Sequence, residues 1–116
     1  MDTFRRLKEF LRRRAAAAPQ PIELHSSGFS VGGGTKIAWS DVSEICAYKL
    51  DRLTTDEAIL EFSLGSGERA AISEEQPGFG ALEKAMTRAF PATATWRNLV
   101  IQPAFDRNYT VLYRRT

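Results

Sequence analysis

Residues that could support a reaction are scarce, because the 116 residues include one histidine, His25, and one cysteine, Cys46. Together they could form a nucleophilic thiolate with its base, or contribute ligands to a metal ion. A reactive thiolate needs an accessible, electropositive surrounding, whereas Cys46 lies in an alternating apolar run typical of a core strand. We therefore expect no catalytic group, no metal and no cofactor, with His25 as a surface or hydrogen-bonded residue.

Two further groups of residues resemble functional motifs. Glu74 and Glu75 form an adjacent carboxylate pair, but they precede a predicted helix, where acidic residues stabilise the positive N-terminal end. Three consecutive glycines, Gly32, Gly33 and Gly34, suggest a phosphate-binding loop. Such a loop opens a helix and carries Lys-Ser or Lys-Thr, whereas here a strand is predicted to follow. We interpret the glycines as a flexible hairpin loop.

Positive charge is concentrated at the N-terminus. Residues 1–18 hold six basic and two acidic side chains, a net charge of +4, and the rest of the chain holds ten basic and twelve acidic, so that the total is +2. Phe4, Leu7 and Leu11 recur at helical spacing with Phe10 beside them, which predicts a basic amphipathic helix. This helix either packs on the body with its cations in solvent or binds an anionic surface. The candidate anion-binding residues are Arg5, Arg6, Lys8, Arg12, Arg13 and Arg14.

The main predicted element is a long hairpin between Ile37 and Leu64, with its turn at Asp51–Thr55. In its second strand, apolar side chains from Ala58 to Leu64 alternate with Glu57 and Glu61. This period of two predicts a half-buried antiparallel strand.

Shorter elements are predicted on both sides of this hairpin. Trp39, Val42 and Ile45 lie three apart, which indicates a tight turn or bulge that directs all three inward. Phe79, Leu82 and Met86 follow helical spacing between Pro77 and Phe90. The other predicted elements are strands over 22–25, 29–31, 35–39, 68–73 and 109–114, and a short helix or extended piece over 96–102.

This order of elements, with the W-x-x-V-x-x-I corner and one amphipathic helix, resembles bacterial pleckstrin-homology-like (PH-like) domains and the related GRAM type over residues 20–90. The resemblance implies an α+β fold, a bent antiparallel sheet or partly open barrel capped by one helix. Residues 20–116 would form the domain, 91–116 a C-terminal extension that adds an edge strand, and 1–18 an extra helix. Lipid-binding members carry cations around the first hairpin loop, which here is Ser26-Ser27-Gly28, and the nearest cation is Lys36.

Members of that superfamily bind headgroups, peptides or proteins and rarely catalyse reactions, so we expect a non-catalytic protein-interaction module. The alternatives are peripheral binding to an anionic membrane surface through the basic helix, and an immunity-type protein that binds a toxin, by analogy of fold. A single cysteine fits the cytoplasm or the inner face of the membrane, and a net acidic body argues against nucleic acid. The candidate partner-binding residues are Asp51, Arg52, Thr54, Glu74 and Glu75.

Overall fold

The chain forms an α+β fold with two antiparallel sheets. The computed structural model describes residues 19–51, 56–101 and 109–116, and at Asp51 and Ile101 the backbone alone. The predicted N-terminal helix, Arg52 and Thr54 therefore lie outside the described residues. In chain order the strands and helices are β1 (Ile22–His25), β2 (Gly28–Val31), β3 (Ile37–Ala38), β4 (Val42–Asp51), β5 (Asp56–Leu64), β6 (Arg69–Ser73), α1 (Phe79–Ala89), α2 (Trp96–Ile101) and β7 (Thr110–Arg114).

The first sheet has three short strands in the order β1-β2-β3. The glycine run between β2 and β3 forms a turn, with φ of 59° at Gly32 and 78° at Gly33, which confirms the predicted hairpin loop. At Gly28 the two strands come so close that a Cβ atom would lie 2.0 Å from the Ile37 carbonyl oxygen. Only glycine fits there without moving the backbone.

The second sheet has the order β6-β5-β4-β7 and contains the predicted hairpin. β4 and β5 pair from Val42↔Leu64 to Asp51↔Asp56. A 3₁₀ turn over Trp39–Asp41 precedes β4, and a bulge follows Val42, which confirms the predicted corner. Bulges of this kind bend and twist a strand.

The three elements predicted after β6 are present in the described residues. α1 buries Phe79, Leu82 and Met86 as expected, and α2 shows that the segment from Trp96 is helical. β7 pairs with β4 at one edge of the second sheet, so the C-terminal extension does add a strand.

The main core lies between the two sheets and the helices, and it includes Phe29, Phe62, Met86 and Trp96. In the described part of the chain the two sheets share no strand and do not close into a barrel. The prediction that β5 is half-buried is wrong, because Glu57 on its other face is 0% exposed. Alternation identifies the two faces of a strand, but it does not reveal whether a second layer covers the polar one.

Candidate functional site

A cavity of about 280 Å³ lies where the end of the β4–β5 hairpin meets the β6–α1 turn and α2. We call it the Lys49–Arg97 cavity. It is lined by Lys49, Asp56, Ala58, Glu74, Trp96, Arg97 and Val100.

The hairpin register positions one wall of this cavity. Lys49 lies directly opposite Ala58, on the face of the sheet that also carries the core residues Ala47 and Leu60. Lys49 is only 8% exposed. Its Nζ lies 3.8 Å from Oδ2 of Asp56, which is two residues before Ala58 on β5. An inward lysine at a strand end is held by nearby carboxylate groups and keeps its long apolar stem against the core.

Glu74 fixes the β6–α1 turn against β5. Its carboxylate Oε2 accepts a hydrogen bond of 2.7 Å from the Ala58 N–H, and its own N–H donates to the Ala58 carbonyl oxygen at 3.0 Å. The prediction that Glu74 stabilises the N-terminal end of the helix is wrong, because α1 begins only at Phe79. The residue before it, Gly78, has φ of 91°. Four residues of turn separate the carboxylate from the helix, so it contacts the neighbouring strand instead.

Arg97 joins three elements at the mouth of the cavity. Its Nε lies 2.9 Å from Glu83 Oε2 on α1, and its Nη1 lies 3.2 Å from Glu74 Oε1. The guanidinium also lies over the Trp96 ring, 4.8 Å from the ring centroid, in a cation–π contact. The indole Nε1 of Trp96 donates to the same Glu83 oxygen at 2.8 Å.

The contacts of Arg97 with the two carboxylates favour its charged form. The hydrogen bond to Glu83 raises the pKa of Arg97 above its usual value, burial opposes this, and the bond to Glu74 raises it further. Since a guanidinium is already protonated at any ordinary pH, the cavity keeps a fixed positive charge whose position is set by two carboxylates.

The lining combines balanced charges with an apolar floor. Lys49 and Arg97 face Asp56 and Glu74, while Ala58, Trp96 and Val100 supply apolar surface. The volume lies just below the roughly 300–1,000 Å³ typical of small-molecule sites. A space of this size suits one inserted side chain better than a cofactor.

The structure therefore brings together parts of the two predicted partner-binding loops. Glu74 lines the cavity, and Asp56 follows directly after the predicted turn at Asp51–Thr55. Glu75 is exposed, and its N–H donates to Ser73 Oγ. Sequence reasoning did not select Arg97 as a site residue. The signal that could have identified it is the Trp96-Arg97 pair in a short apolar segment.

His25 and Cys46 belong to different sheets. The His25 Nε2 and Ser30 Oγ atoms are 2.9 Å apart, while Cys46 is 1% exposed and its Sγ donates to Glu44 Oε1. Lys36 reaches the first hairpin loop after all, since its Nζ donates to Ser27 Oγ at 2.8 Å. Within the described ranges, no three His, Cys, Asp or Glu side chains are grouped as metal ligands.

Comparisons with known protein families, with curated proteins and with solved structures find no match to this chain. None of the helices in the described ranges is long and apolar enough to span a membrane. The features of this chain that bear on its function are therefore its cavity and its surfaces.

Proposed function

We propose that this chain is a non-catalytic protein-interaction module that receives a side chain of its partner in the Lys49–Arg97 cavity. The single observation that carries the proposal is a cavity large enough for one inserted side chain, with an apolar floor and a charged rim. Protein interfaces are organised in the same way, with a buried apolar core and a polar rim that solvent can reach.

The residue types of the cavity support the same function. Trp and Arg are enriched among the residues that dominate binding energy at protein interfaces. Arg97 is 42% exposed and Asp56 44% exposed in their side chains, so both can meet a partner at the rim. Arg97 is also held in place by Glu83 and Glu74, which reduces the side-chain entropy lost on binding.

We further propose that the scaffold is PH-like. Support comes from the two antiparallel sheets, from the Trp39 corner that leads into the long hairpin, and from α1, which packs against the core. The seventh strand follows the helix instead of preceding it, which makes β7 an addition to the PH-like pattern.

Filling the cavity tests the proposed function. Ala58→Leu places a larger side chain in the cavity, whereas Ala81→Leu makes the same change on the exposed surface of α1. In affinity capture from the source organism, wild type and Ala81→Leu should retain a stoichiometric protein partner. Ala58→Leu should bind it at least about tenfold more weakly, a change of about 1.4 kcal/mol.

Thermal melting of the three proteins controls for the fold, because the comparison requires similar transitions. Equal partner binding by Ala58→Leu and wild type would show that the cavity is not the contact. Repeated captures with no stoichiometric protein would contradict the interaction module itself.

A further inference from the structure

Two carboxylates of the Lys49–Arg97 cavity lie close to Ala58, its smallest lining residue. Asp56 is two residues before Ala58 on β5, so the two side chains share one face of the sheet about 7 Å apart. Glu74 reaches Ala58 from the β6–α1 turn, and its Oε2 accepts from the Ala58 N–H at 2.7 Å. The space left by the small Ala58 side chain is therefore bordered by two carboxylates from different segments.

Asp56 is the carboxylate that still has room for a hydrogen-bond donor. Both oxygens of Glu74 are engaged, Oε2 by the Ala58 N–H and Oε1 by Arg97 at 3.2 Å. In the described part of the chain, the basic group paired with Asp56 is Lys49, whose Nζ lies 3.8 Å from Oδ2. This separation exceeds the length of a hydrogen bond, and a carboxylate can accept about four. The Asp56 side chain is 44% exposed, so a partner can reach it.

The charges around the cavity favour a cation as its occupant. The lining itself is balanced, with Lys49 and Arg97 against Asp56 and Glu74. Glu83 adds a third carboxylate directly behind the guanidinium, 2.9 Å from Arg97 Nε. Two positive and three negative groups give a local charge of −1. A cationic side chain in the cavity would neutralise this charge, whereas an acidic one would raise it to −2.

The depth profile of the cavity fits a long basic side chain. Trp96 and Val100 in the lining are each 1% exposed, while the Asp56 side chain at the rim is 44% exposed. Lysine and arginine place their methylene stems on apolar surface and keep the charged group near water. A purely apolar side chain would fill the floor but would provide no donor for Asp56.

We propose that the side chain received by the cavity is a lysine or an arginine of the partner protein. Its methylene stem lies on Ala58 and Val100, and its cationic group lies beside Asp56 and Glu74. This inference rests on the proposed function and adds the chemistry of the partner, which is a basic segment of a protein.

The test uses the full chain and four acetylated, amidated five-residue peptides. Each peptide has glycines around one central residue, which is lysine, arginine, norleucine or glutamate. Norleucine has the methylene stem of lysine without its charge. Peptide titrations followed by the backbone amide resonances of Ala58, Arg97 and Val100 give the affinities. The lysine and arginine peptides should bind at least about threefold more tightly than the norleucine peptide, and the glutamate peptide should bind most weakly.

Asp56→Asn tests the carboxylate, because it keeps an acceptor oxygen and removes the charge. It should weaken binding of the lysine peptide at least about threefold and leave norleucine binding unchanged. Asp41→Asn makes the same change at an exposed carboxylate outside the cavity lining and should behave like wild type. Raising the salt concentration from about 50 mM to about 500 mM should weaken the lysine peptide selectively, because salt screens the attraction.

The possible failures are distinguishable. Norleucine binding equal to lysine binding, stronger binding of the glutamate peptide, or unchanged lysine binding in Asp56→Asn would overturn the inference. The cavity would then still accept a side chain, and the proposed function would stand. If none of the four peptides shifts the cavity resonances, both the inference and the cavity as a side-chain site are wrong. The peptide comparison in wild type needs no substitution, so it holds even if a variant is less stable.

Discussion

Glu83 illustrates how much of the cavity wall depends on one side chain. A single oxygen, Oε2, accepts from the Trp96 indole and from Arg97. Trp96 is 1% exposed, so its N–H cannot turn to water. Glu83 therefore positions both an aromatic core residue and the cation that lies on it.

Replacing this acceptor should be measurably destabilising. Glu83→Leu leaves the buried indole N–H without its acceptor, so we expect a loss of about 1–3 kcal/mol in the free energy of unfolding. Glu83→Gln keeps an acceptor oxygen and should lose less. Urea denaturation followed by tryptophan fluorescence measures both, with the exposed Lys84→Gln as a control. Equal stability of Glu83→Leu and Glu83→Gln would contradict this account of the hydrogen bond.

Sequence reasoning identified Glu74 but not its partners. Arg97 meets Glu74 and Glu83 because the first residues of α2 lie beside α1 and the turn before it. A periodic pattern shows that a segment is helical, but not which distant residues it contacts. Lys49 could have been selected from the sequence, because it is a charged residue at a core-facing position of an alternating strand.

Element boundaries were predicted well where the pattern was long. The paired strands β4 and β5 and the corner at Trp39 follow from alternation and spacing, and the structure confirms them, while the predicted turn between the strands lies outside the described residues. β3 is shorter than predicted, with two residues, because the chain turns into the 3₁₀ segment directly after Ala38. The burial of Glu57 and Glu61 could not be predicted, because alternation along β5 does not show whether its polar face is covered.

The start of α1 depends on a glycine. Gly78 has φ of 91°, and a Cβ there would lie 2.6 Å from the Ile22 carbonyl oxygen, whereas a Cβ on Gly80 meets nothing within 4 Å. We expect Gly78→Ala to destabilise the protein by at least about 2 kcal/mol, because the left-handed conformation and the clash add together. Gly80→Ala should stabilise it by about 0.5–1 kcal/mol through helix propensity.

Thermal or urea unfolding of these two variants gives the comparison. They carry the same substitution two residues apart, so composition cannot explain a difference in sign. Similar stabilities for Gly78→Ala and Gly80→Ala would show that the close approach to β1 is relaxed in solution.

At the scale of the whole molecule, one apolar cluster joins both sheets to both helices. Phe29 of the first sheet contacts Phe62 of the second, with ring centroids 5.1 Å apart, and Met86 of α1 lies in the same cluster. The α+β class predicted from the sequence is confirmed by this arrangement, while the PH-like assignment remains a proposal. A shared core predicts that the sheets unfold as one unit.

Met86 tests this cooperativity. The residue is 0% exposed, so Met86→Asp both removes a core side chain and buries a charge, with an expected cost above about 4 kcal/mol. Given the usual stability of about 5–15 kcal/mol, we expect the variant to be largely unfolded or to melt far lower. Met86→Leu should stay within about 1.5 kcal/mol of wild type. Unchanged melting of Met86→Asp by circular dichroism would show that this face of α1 is misplaced.

The position of β7 has a consequence for biosynthesis. β4 pairs with β7 along one edge, yet β7 is synthesised after both helices. At about 5–20 residues per second, the ribosome completes β4 several seconds before it adds Thr110–Arg114. During that interval the open edge of β4 can pair with other nascent chains. Slow synthesis of the C-terminal codons should therefore favour aggregation over folding, and rapid completion of the chain should protect it.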